Sequence, residues 1–265
     1  MFGVCHIPPF DTIDHSLIQH SFDIFGSALT HSTDLLPNDA SSAGALSLLQ
    51  DAEGNHCSSF PATLLHLIQI GAQFTQPTRP LSPSYISTSS KQQQALLLLH
   101  NARSFNPLTW ATNLRSCSPT TDIFHRTHIA SAHRAAVCIY LSRVVLSVDP
   151  SAQLPHTFES LETDIITHLS FINPSNTLFT ATTWPTFILG AETNDCAMQE
   201  WVARRFQELW EVEPWGLLRS AFGVLQNIWL KNRRTSGVEK NGVVVEDHGD
   251  WIRDLKEEGI DWLII

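Results

Sequence analysis

Thirteen of the 265 residues are histidines, and imidazoles spaced along one helix can hold a transition metal or move protons. The densest group is His125, His128 and His133. At about 100° per residue on a helix, His125 and His128 lie about 60° apart, while His133 lies about 140° from His128. Two of the three can share a metal; the third points elsewhere. No H-E-x-x-H pattern accompanies them, and Asp122, one turn before His125, suits a helix cap better than a ligand. Packed or hydrogen-bonded histidines, without a metal, are the expectation. Asp164 and His168 stand four apart, acid before base. That order supports a helix by roughly a few tenths of a kcal/mol, a simpler role than an acid–base dyad.

Signatures of covalent and phosphate chemistry are absent from the sequence: no G-x-S-x-G, no G-x-x-x-x-G-K-[ST] and no G-x-G-x-x-G. The acidic group Glu246-Asp247-His248-Gly249-Asp250 reads as loop rather than as the aspartate-rich helix that magnesium diphosphate chemistry needs. Arg204-Arg205 and Lys231-Asn232-Arg233-Arg234 have glutamates nearby, so a solvated face and a solvated loop are expected there. Seven of the eight tryptophans (184, 201, 210, 215, 229, 251 and 262) fall in the C-terminal third, where large packing anchors are favoured over an aromatic ligand cage. Cys5, Cys57, Cys117, Cys138 and Cys196 are odd in number, far apart and without a C-x-x-C pair, which reads as small buried thiols in a reducing compartment. No catalytic, cofactor-binding or metal-binding residue emerges, and no cofactor is expected.

The composition bounds the answer further. With 43% hydrophobic and 16% charged residues, the chain has material for a large core and is not disordered. A net charge of -10, and no Lys or Arg before Arg79, argue against a chain that grips nucleic acid unaided. Residues 1–20 lack a basic signal-peptide start, and the longest apolar run, 135–141, is too short to span a bilayer. A soluble, intracellular protein without a membrane partner is expected.

The elements that would carry these residues are helices. Apolar periodicity predicts one over 13–29, a short one near 46–50, a third after Pro61, and one over 91–105 broken before Pro107. The stretch 71–90, with Pro77, Pro80 and Pro83, reads as a loop. Thr121 to Val148 forms one long helix with Thr121 and Asp122 as caps, apolar around most of its circumference and therefore central. Phe158, Leu161, Ile165, Leu169 and Ile172 make a clean stripe on the next. Further helices run over 178–192, from Asn194 or Asp195, from Pro214, and over 250–258, with an exposed loop over 231–242. Only Val243-Val244-Val245 resembles a strand, and the apolar end Trp262-Leu263-Ile264-Ile265 must tuck into the core or a partner. The fold class is all-α: an irregular assembly of about ten helices without significant sheet.

Several segments together resemble a known family. Trp184-Pro185-Thr186-Phe187-Ile188-Leu189-Gly190-Ala191-Glu192 is similar to the WP-x-F-I-x-G-x-E signature of the fungal-specific transcription factor domain, the C-terminal regulatory domain of zinc-cluster transcription regulators, in the branch of the acriflavine sensitivity control protein. His133 to Val144 resembles the family's helix with an I-Y-L-x-R-V run. Leu225-Gln226-Asn227-Ile228-Trp229 resembles its V-L-x-x-I-W helix, and Trp251, Gly259 and Leu263-Ile264-Ile265 resemble its closing segment. The match is specific over 121–265, whereas 1–120 agrees in general helical character; the two regions are expected to pack as one unit.

The resemblance implies a non-catalytic regulatory domain in the nucleus, acting in RNA polymerase II transcription of a metabolic or secondary-metabolite gene set. It implies as partners other regulators or the transcription machinery, a homo- or heterodimer, and a small-molecule effector between helices. The family's N-terminal six-cysteine zinc cluster and basic linker have no counterpart in these residues, so autonomous DNA binding is not expected, and sequestration of a full-length relative in a mixed dimer is one mode of action. Two rivals remain. An all-α enzyme predicts polar groups converging in a deep pocket, and a helical scaffold predicts no transcriptional effect.

Overall fold

A computed structural model describes residues 44, 46–50, 53, 60–74, 88–114, 122–235, 250–257 and 259. The expected helix over 13–29, the Val243–Val245 run, the apolar end 262–265, Cys5, Cys57, Cys117 and most of the 71–90 loop lie outside these residues. Among the described residues there are helices and no strand. Residues 46–50 are helical, as the periodicity predicts. Then follow α1 (Ala62–Phe74), α2 (Thr88–Ser104), α3 (Pro107–Asn113), α4 (Ile123–Val148), α5 (Phe158–Leu169), a 3-10 turn (Phe179–Thr182), α6 (Thr183–Glu192), α7 (Cys196–Val212), α8 (Gly216–Thr235) and α9 (Trp251–Glu257).

The axis of the molecule is α4, on which α1, α2, α3, α5 and α6 all pack. A helix apolar on every side has no face for solvent, so its neighbours must surround it. Its length and composition would suffice to cross a bilayer, yet 83% of its most apolar stretch is buried within the protein, as for a core helix. At the far side, α7 and α8 pack against α6 and each other. One continuous core runs from Leu64 in α1 through Ile139 and Phe206 to Leu255 in α9.

Side-chain caps fix three of the helix starts. Asn106, Thr157 and Asp195 each accept a hydrogen bond from a backbone N–H in the first turn, at 3.0, 3.2 and 2.7 Å respectively. Pro185 is the third residue of α6, within the first turn where no intrahelical N–H bond is lost, so it starts the helix without kinking it.

Several boundaries differ from the sequence expectation. Asp122 is in helical conformation and makes no side-chain cap. Pro107 opens α3 where a stop alone was expected, because Asn106 caps it and proline suits the first helical position. Residues 71–74 continue α1: Gly71 is there for closeness and not for a turn, since a Cβ would meet Leu141 Cδ2 at 2.7 Å and Tyr140 Cε1 at 3.3 Å. Residues 231–235 are the last turn of α8, where basic side chains face the negative end of the helix dipole, and Lys231 pairs with Asp254 of α9 at 2.6 Å.

Candidate functional site

Three polar side chains, one from each of three segments that carry the resemblance, meet at one buried point: Glu192, Arg143 and Trp251. Glu192, the last residue of α6, has a side chain only 3% exposed and sits where the helix dipole disfavours a negative charge. Arg143 of α4 answers it with two hydrogen bonds, Nε to Oε2 at 3.0 Å and a shorter one from a terminal nitrogen to Oε1. Trp251 of α9 donates its indole N–H to Oε2 at 3.0 Å. The Phe158 ring of α5 covers the guanidinium at 4.7 Å from its centroid. Four helices thus meet around one ion pair. Beside it, Glu162 of α5 has its carboxyl pushed up to about 7, first by burial and then by the charges of Glu192, Glu159 and Asp195.

The remaining signature residues are packing devices. Trp229 donates Nε1–H to the Gly190 carbonyl at 2.7 Å, satisfying one of the orphan carbonyls at the end of α6. Gly190 allows that approach: a Cβ would stand 2.9 Å from both Leu225 Cδ1 and Val202 Cγ1. Phe187 meets Trp251 edge to face. Trp184 lies parallel to the His133 ring at 6.1 Å, with Phe60 edge-on to both.

The histidines separate as the helical angles require, but their partners come from elsewhere. His133 is fully buried, hydrogen-bonds the Ile129 carbonyl through Nδ1 at 2.9 Å, and has its pKa pushed down to about 4 by desolvation. His128 faces His168 of α5, with their Nδ1 atoms 2.9 Å apart, so one ring donates and the other accepts. Burial lowers both pKa values; His125 lowers that of His128 further, and His128 that of His168, which Asp164 raises in part. Phe171 stacks on His128 at 4.2 Å and Phe124 approaches edge-on. Sequence reasoning saw His168 only with Asp164; its contact with His128 depends on how α5 docks on α4. Among the described residues no three His, Cys, Asp or Glu side chains come together as a metal would need.

Arg205 corrects the expectation of a solvated basic pair. Arg204 is exposed, but Arg205 is buried and donates to the Leu169 and Ile172 carbonyls at 3.2 and 2.6 Å, closing the end of α5, with Phe179 beneath its guanidinium at 4.2 Å. A signal existed: position 205 falls on the same stripe as Val202, Phe206 and Leu209. Of the tryptophan anchors, Trp229 and Trp251 are buried, Trp184, Trp201 and Trp210 are half-buried, Trp215 is half exposed, and Trp262 lies outside the described residues. The thiols divide: burial pushes Cys138 up to about 12, a poor nucleophile, whereas Cys196 is exposed rather than buried as expected. Arg233 and Arg234 are exposed on α8, and of the acidic run 246–250 only Asp250 is described, leading into α9.

A basic, acidic and aromatic set joined by its own hydrogen bonds, Arg143 and Trp251 to Glu192, can hold helices together. That is the class of site expected of an interaction or regulatory domain. Compared with known families, residues 21–265 match the fungal specific transcription factor domain, and the chain belongs to that family. It is similar to the acriflavine sensitivity control protein acr-2 of Neurospora crassa, with 29% identity over 257 aligned residues that cover 92% of this chain. The chain spans 41% of that relative's length, about two-fifths. No solved structure matches.

Proposed function

We propose that the chain is the regulatory, non-DNA-reading domain of a fungal transcription regulator, acting in the nucleus on RNA polymerase II transcription of a metabolic or secondary-metabolite gene set. The reading rests on the family match over 21–265, joined to one observation: Glu192 of the signature, with Arg143, Trp251 and the Phe158 ring, fastens α4, α5, α6 and α9. A domain of this kind works by presenting surface to other regulators or to the transcription machinery, as a homo- or heterodimer, with residues 1–120 and 121–265 acting as one unit. Catalysis and a resident cofactor have no part in the proposal, and neither does DNA binding by these residues alone.

The test is to tether the chain to a heterologous DNA-binding domain in a fungal host and read a reporter beneath its operator. A change in reporter output that disappears with an unfolding core variant is expected. Unaltered output from a folded, nuclear, expressed fusion would return the chain to the scaffold reading.

A further inference from the structure

Beyond that reading, and independent of it, the N-terminal side of the molecule carries an acidic, aromatic-walled cleft of about 360 Å³. This lies at the lower end of the range for small-molecule sites, about 300–1,000 Å³. Its walls come from two residues ahead of α1, from the start of α1, and from α3 with its entry turn: Gln50, Glu53, Phe105, Asn106, Trp110 and Asn113 among them. Among the described residues that line it, Glu53 is the one ionisable side chain, with no Lys or Arg beside it.

The carboxylate is held in place. Its Oε1 accepts from Trp110 Nε1 at 2.6 Å and from the backbone N–H of Ala62 at 2.8 Å. Both hydrogen bonds from described residues fall on Oε1, so Oε2 is the oxygen turned to serve as the counter-charge in this proposal. The Phe105 and Trp110 rings, tilted at 54° with centroids 6.5 Å apart, stand beside it. An oriented carboxylate next to indole and phenyl faces attracts positive charge twice over, by Coulomb attraction and through the ring quadrupoles. An anion is repelled by Glu53, and a neutral apolar guest would desolvate the carboxylate without replacing its water.

We propose that this cleft binds a small organic cation, an aromatic or alkyl ammonium, with Glu53 as counter-ion, Trp110 and Phe105 as faces, and the carboxamides of Gln50, Asn106 and Asn113 at the rim. Cation–π and charge contacts at a partly solvated site correspond to roughly tenfold in affinity.

Isothermal titration of the whole chain compares N-methylquinolinium with quinoline, which is flat, similar in size and neutral at the assay pH. The cation should saturate one site per chain and bind roughly tenfold tighter than quinoline. Glu53→Gln keeps an amide oxygen for Trp110 and Ala62 but removes the charge, and should erase that preference with an unchanged thermal midpoint. Thr109→Lys, on an exposed lining position, puts a competing cation in the cleft without touching Glu53, and should weaken binding even if Glu53→Gln fails to fold. Equal affinity for the two probes, no saturable binding of the cation, or binding that survives Thr109→Lys would each overturn the assignment.

Discussion

His133 is an imidazole enclosed by Phe60, Trp184 and the α4 backbone, and its neutral form is built into the fold. With its pKa pushed down to about 4 from an ordinary 6.5, the unfolded chain takes the proton first as pH falls. Its contribution is therefore complete above pH 6.5 and is lost between there and about 4, to a limit of about 3 kcal/mol. Glu162 has the opposite sign. A carboxyl raised from 4.5 to about 7 favours the fold while protonated, and that advantage is lost as pH rises from 4.5 through 7. Urea midpoints across this range should show Glu162→Gln more stable than the parent at pH 8 and equal to it near pH 4. His133→Gln, despite lost packing, should flatten the acid limb.

At the scale of elements, helix ends carry the specificity. Arg205 serves α7 by sequence and α5 by function, since its guanidinium satisfies carbonyls at the end of α5. Arg205→Met keeps the stem and strands those carbonyls, so a loss of about 2–4 kcal/mol is expected from denaturant melts, and Arg205→Lys should recover only part of it, because an ammonium lacks the planar guanidinium that lies over Phe179 while also reaching Glu208. Gly190→Ala should cost about 1–3 kcal/mol by overpacking. Leu225 can swing away, but Val202 is stiff at χ1 and has nowhere to go. Helix existence was legible in the sequence because burial periodicity is local: the α5 stripe and the Asp195 cap are where it places them. Partners across elements were not. The His128–His168 pair and the role of Arg205 depend on how whole helices dock, and neither position announces its partner through neighbours in the chain.

For the whole molecule, the signature segment spreads its contacts over both regions of the chain: to α4 through Arg143, to α8 through Trp229, to α9 through Trp251, and to the approach to α1 through Phe60. The resemblance pointed to the right segments, and the structure supplies the physical reason for their residue types. The Glu53 cleft was not legible. Its members lie between positions 50 and 114 and become neighbours only when α1 and α3 close on Gln50 and Glu53.

The central claim is that these signature residues are architecture, and a double-mutant cycle on Arg143 and Glu192 by urea denaturation tests it most directly. Arg143→Met alone should cost about 3–5 kcal/mol, because it leaves a carboxylate buried at the wrong end of a helix. Glu192→Leu added to it should restore much of the loss, a coupling of about 2 kcal/mol or more. Single variants as stable as the parent, with coupling under about 0.5 kcal/mol, would mean that the fold does not need the pair. An architectural role for the signature would then be contradicted.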